Sequence, residues 1–171
     1  MWQLAIVLGE IALRRRGPDS LPDSNFLLGM LFLVYVVVSS FDFLVYDAFN
    51  VRTFTNLAAQ VVLLFGYVFA VLAFFKLERR YRQTLSAILG ANIVIYAVYI
   101  PIVLVALGIG VDLQAEPMIS MRYVFWFWSV FVGACIFARA LSQPLLLGFM
   151  IQILYVLPAL SISEYFAQPV E

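Results

Sequence analysis

Residues 85–107 read LSAILGANIVIYAVYIPIVLVAL, twenty-three positions without a charged side chain. Coiled as a helix at 1.5 Å per residue, such a run is about 34 Å long and covers the roughly 30 Å hydrocarbon layer of a bilayer. Four further apolar runs lie around it, at Phe26 to Tyr46, Leu57 to Phe75, Tyr123 to Ala138 and Leu145 to Ile162. The last two are shorter and are separated only by a tight turn, Arg139 to Pro144, so they are expected either as two crossings or as one re-entrant hairpin. The expected fold is therefore all-α: an integral membrane bundle of five transmembrane helices, preceded by a short N-terminal interfacial helix. Its parts would be an interfacial helix with a Pro-rich entry over 1–24, the membrane domain over 25–163 and a short external tail over 164–171.

Composition agrees with that class. The chain is 65% hydrophobic and only 12% charged, about half the charged fraction of an ordinary soluble domain. Ten basic and ten acidic residues cancel, which leaves no electrostatic footprint for nucleic acid. Histidine is absent, and with it the commonest general base, proton shuttle and metal ligand. The single cysteine, Cys135, lies in an apolar run; it can form neither an intrachain disulfide nor a redox pair and reads as a small buried hydrophobe. No catalytic residues, no metal site and no cofactor are expected.

The basic residues give an orientation. Arg14, Arg15 and Arg16 precede the first run, Lys76, Arg79, Arg80 and Arg82 follow the second, and Arg139 follows the fourth. With five crossings these eight share one side, leaving Arg52 and Arg122 on the other with Asp47, Asp112, Glu116, Glu164 and Glu171. The positive-inside rule then puts the N-terminus in the cytoplasm and the C-terminus outside, in a bacterial inner membrane. Arg14, Arg15, Arg16, Arg79, Arg80 and Arg82 are the candidates for contact with anionic lipid or a cytoplasmic partner.

Residues 1–16 carry their charges after the apolar stretch and have no A-x-A site, so they do not read as a secretory signal. Trp2 to Leu13 is too short to span and is expected to lie in the cytoplasmic interface with Trp2 buried, or to dock on the ends of the bundle. Gly17, Pro18 and Pro22 break the chain before the first run, where Ser24 or Asn25 can cap it.

Inside a bilayer the polar side chains carry the information. Tyr35, Ser39, Asp42 and Tyr46 recur on one helical face of the first run; the third run offers Asn92, Tyr96 and Tyr99, the second Gln60 and Tyr67, and the fifth Gln152 and Tyr155. Together they form a candidate polar seam. It serves either as interhelical hydrogen-bond glue or as the lining of a ligand path, the latter resting on Asp42, an ionisable group within a span. Ser129 with Gly133, and Ala134 with Ala138, have the small-xxx-small spacing of close helix packing. Pro101 and Pro158 can kink their helices, and Phe125, Trp126 and Trp128 read as an interfacial aromatic belt.

RRRGPDSLPDS before the first run, KLERRYRQTLSAILGANIVIYAVYIPIVL, and FWFWSVFVGACIFARALSQP before a short last run together resemble the YIP family (Ypt-interacting-protein domain), over about Ile11 to Ile162. The resemblance implies a five-span membrane scaffold or adaptor without catalytic residues. Without the long cytoplasmic N-terminal region through which the resemblance implies that eukaryotic members engage small GTPases, no such partnership is expected of these residues. The expected function is a non-enzymatic accessory or scaffold subunit that contacts membrane lipid and packs laterally against a larger membrane partner or itself. The alternative is a small transporter or lipid-handling protein whose cavity is lined by the Asp42 and Asn92 faces.

Overall fold

The structure, a computed structural model, describes residues 2–41 and 50–167, with the side chains of 4–41 and 50–166. Among these residues the regular structure is entirely helical: α1 (Trp2–Ala12), α2 (Asn25–Ser39), α3 (Val51–Phe74), α4 (Tyr81–Gly108), α5 (Glu116–Ala140) and α6 (Leu145–Ala167), with 3-10 turns at Pro18–Ser20 and Glu78–Arg80. The chain is an all-α bundle, and α3 to α6 are each long and apolar enough to cross a membrane. The described part of α2 is a shorter apolar helix of 15 residues. Residues 42–49, which carry the end of the expected first run with Asp42 and Tyr46, lie outside the described residues.

Helix starts follow side-chain capping. Ser24 accepts from the Leu27 amide at 3.3 Å to open α2, and Asn50 accepts from the Thr53 amide at 2.9 Å to open α3. Pro117 in the first turn opens α5, where its missing N–H costs nothing. That start lies two turns before the expected Tyr123, because Arg122 and Glu116 are tolerated on a helix whose end leaves the apolar zone. α5 and α6 are 25 and 23 residues long, or about 37 and 34 Å, which is the length of full crossings. The earlier start also moves the aromatic trio: Phe125, Trp126 and Trp128 sit 9–12 residues into α5 rather than at its mouth. Trp128 turns inward, donating to the Ala12 carbonyl at 3.4 Å. It therefore packs α1 against α5 instead of anchoring a headgroup belt.

Central to the bundle is α4, which meets α1, α2, α3 and α5. Its residues Thr84 to Ala91 are all buried, unlike a two-faced helix. Small side chains at Thr84, Ser86, Ala87, Gly90 and Ala91 let neighbours close in from every side. Gly90 receives Leu8 so closely that a Cβ there would strike its side chain. With Ile11 and Ala12 at 1% exposure, α1 is docked onto the bundle. The Arg cluster follows it: Arg16 pairs with Glu10 at 2.6 Å, and the Arg14 guanidinium stacks on Phe131, 4.5 Å from the ring centre. The description of α1 does not include the Trp2 side chain.

The tightest joint is α5 against α6. Gly148 abuts the Ala134 carbonyl and Ala138, and Gly133 abuts the Gln152 amide. Since 138 meets 148 and 133 meets 152, the two helices run antiparallel. Gly133, Ala134 and Ala138 are buried within this joint, so the small-residue face packs inside the chain.

Candidate functional site

The polar residues of the seam come from five different helices, and the fold brings them to one half of the bundle. Tyr35 and Ser39 stand near the end of α2, Asn56 and Gln60 near the start of α3, Tyr96 in the second half of α4, Trp126 and Ser129 in the first half of α5, and Gln152, Tyr155 and Ser163 along α6. All line one hollow of about 410 Å³. Below it, Tyr35, Asn92, Ser129, Gln152 and Tyr155 line an inner chamber of about 130 Å³, floored by Gly133, Ile136 and Phe137. A side recess of about 240 Å³ shares Asn92, Tyr96 and Ser129 and adds Tyr99 and Arg122. The three spaces adjoin across these shared wall residues and together form a vestibule region at one end of the bundle.

Hydrogen bonds divide the seam into two groups. Part of it joins helices: Ser129 donates to Asn92 Oδ1 at 2.8 Å while Asn92 Nδ2 donates to the Ile88 carbonyl at 3.0 Å. Gln60 Nε2 donates to the Ala159 carbonyl at 2.7 Å and to Ser163 at 3.0 Å, and the Tyr67 hydroxyl donates to the Ile151 carbonyl. Tyr67 lines none of the three spaces; its ring packs on Phe137 and Tyr155 instead. The other group faces open space. Asn56 Oδ1 is buried without a hydrogen-bond partner, and the buried Ser39 hydroxyl stands by the Tyr35 phenol without making a hydrogen bond of full geometry. Both line the larger hollow.

The structure brings Tyr35, Ser39, Asn92, Tyr96, Tyr99 and Gln152 to these adjoining spaces; Asp42 lies outside the described residues. Asn56 and Ser163 escaped the sequence reading, and Trp126, read there as part of an interfacial belt, lines the hollow. The i, i+4 spacing of Asn56 and Gln60 marks them as one face, but Asn56 lies just before the expected start of its run. Among the described residues no cluster of His, Cys, Asp or Glu could hold a metal. Nor does the vestibule wall present a nucleophile beside a base; its groups are hydroxyls, carboxamides and aromatic rings, with Arg122 at the side recess. Chemically it can donate and accept hydrogen bonds and stack. Comparison of the chain with protein families, with curated proteins and with solved structures finds no match.

Proposed function

We propose that this chain is a non-enzymatic protein of a bacterial inner membrane that holds an uncharged, hydroxyl- or amide-bearing group in its vestibule, as a small solute or as the headgroup of a lipid. The observation that carries this reading is the pair of poorly satisfied buried polar atoms, Asn56 Oδ1 and Ser39 Oγ, on the wall of a hollow. An orphaned buried polar group costs about 1–3 kcal/mol. Surrounding lipid cannot relieve that cost. Side chains serving only as interhelical glue would be expected to pair with one another, as Ser129 and Asn92 do. The eight-to-two division of basic residues supports an N-terminus in the cytoplasm, with the vestibule opening outward.

Extraction and mass spectrometry of the purified chain test this. The wild type should retain a stoichiometric uncharged polar compound. Gly133→Leu, which drives Gln152 into the inner chamber, should lose it. A vestibule holding water alone would show no compound enriched over that variant, which overturns the reading.

A second reading, an accessory subunit of YIP-like type, draws on the outer surfaces of α3 and α6. Each buries only 17% of its most apolar stretch, against 39% for α4, so the surface free for lipid or a larger partner lies there. Stoichiometric co-purification of a second membrane protein, lost when Val62 and Leu154 are replaced by Trp, would support it.

A further inference from the structure

The opposite end of the bundle holds a larger cavity, of about 1020 Å³, and three arginines from three separate segments line it: Arg14 after α1, Arg80 before α4 and Arg139 in the last turn of α5. Each is held by neutral partners. Arg80 donates to the Ala140 carbonyl at 2.6 Å and to the Ser142 hydroxyl at 3.1 Å. Arg139 donates to the Arg14 carbonyl at 2.6 Å, and Arg14 lies over the Phe131 ring. None of the three has an ion pair among the described residues; the pairs there are Arg16 with Glu10 and Arg82 with Asp23. Asp19 is the one carboxylate on the cavity wall, which leaves an excess of two positive charges.

Backbone dipoles add to this field. α4 and α6 both begin at the cavity, through Gln83 and Thr84 in the one and Leu145 in the other, and helix starts carry partial positive charge. The carbonyl end of α5 opposes them, but Arg80 covers its Ala140 oxygen. Two of the wall residues, Arg14 and Ser142, are also held at positive φ, 63° and 55°, where glycine is the easier choice. Retaining side chains there places a guanidinium and a hydroxyl on the wall.

We propose that this cavity is a binding site for a phosphate-bearing anion, with Arg14, Arg80 and Arg139 as its cationic contacts. The phosphate comes either from an anionic phospholipid in the adjoining leaflet or from a soluble phosphate compound. Guanidinium forks match phosphate oxygens two by two, and a cavity at a span end meets headgroups directly. The site lies apart from the vestibule, behind the packed Gly148–Ala138 joint, and does not rest on the vestibule's function.

Native mass spectrometry of the intact chain, released from micelles holding equal phosphatidylglycerol and phosphatidylcholine, tests it. The wild type should retain one phosphatidylglycerol in preference. Arg80→Gln with Arg139→Gln should lower retention about tenfold, and the charge-preserving Arg→Lys pair should keep more of it. Lys76→Gln with Arg52→Gln, which removes equal charge at residues that do not line the cavity, should change it by less than about twofold. Pyrophosphate that strips the lipid from the wild type identifies the soluble source; lipid that resists it identifies the membrane source. Equal retention of both lipids by a wild type that also retains no pyrophosphate overturns the proposal without recourse to any variant, and so does equal loss in the two Gln pairs.

Discussion

Three helices end on a non-glycine residue in the left-handed region: Arg14 after α1, Lys76 after α3 and Ser142 after α5. Each closes a Schellman motif, with the Arg15 amide reaching Glu10, Leu77 reaching Leu72 and Gln143 reaching Ala138. A side chain there costs roughly 1–2 kcal/mol, partly offset because glycine would also loosen the unfolded chain. The three positions therefore answer differently to glycine. Lys76 is exposed and makes no side-chain hydrogen bond or ion pair among the described residues, so Lys76→Gly should raise stability by about 0.5 kcal/mol, read as a higher midpoint of SDS unfolding in mixed micelles. Arg14→Gly receives the same backbone relief but gives up the contact with Phe131, so its midpoint should fall. An equal rise in both would mean that the Arg14 guanidinium contributes nothing where it lies. The three ends themselves were legible, from the charged residues that follow each apolar run, but their left-handed caps were not, since no glycine marks them.

Among the elements, four of the five apolar runs were read where helices long enough to cross a membrane lie, because freedom from charge over the length of a bilayer is a signal that tertiary context rarely alters; the first is described only as far as residue 41. The start of α5 was not legible, since Arg122 and Glu116 look like a loop until the helix is seen to continue through them. Convergence of the seam was legible in part, through the i, i+4, i+7 spacing within each run. Which helix each face meets was not, because spacing reports a face and not its partner. Gly148 makes the point: its role follows from Ala134 and Ala138 lying opposite, which one run alone cannot show. Gly148→Ala should part α5 from α6 and cost about 1–3 kcal/mol. Gly66→Ala, in the middle of α3 with nothing within 4 Å of the added methyl, should be neutral or gain up to about 1 kcal/mol from helix propensity. Thermal unfolding in detergent separates the two; matching effects would show that α5 and α6 do not meet at Gly148.

For the molecule as a whole, the two ends differ in chemistry. One gathers Arg14, Arg80 and Arg139 around a charged cavity, and the other opens a mostly neutral vestibule of hydroxyls and carboxamides. A bilayer with an anionic cytoplasmic face and a positive-inside bias would align such a molecule with the arginine end in the cytoplasm. α5 decides the test, because it is 25 residues long and joins the two ends. In a Cys135→Ala background, Gln114→Cys lies in the turn before α5 and Gln143→Cys in the turn after it, both at exposed positions. A membrane-impermeant maleimide applied to intact spheroplasts should label Gln114→Cys at once and Gln143→Cys only after permeabilisation. The reverse pattern would invert the molecule and put the vestibule in the cytoplasm. Labelling of Gln114→Cys alone, with Gln143→Cys silent even after permeabilisation, would mean that α5 and α6 enter and leave as a re-entrant pair, and the arginine cavity would then have no leaflet of its own from which to draw a headgroup. One pair of cysteines thus tests orientation, the number of crossings and the membrane source of the anion together.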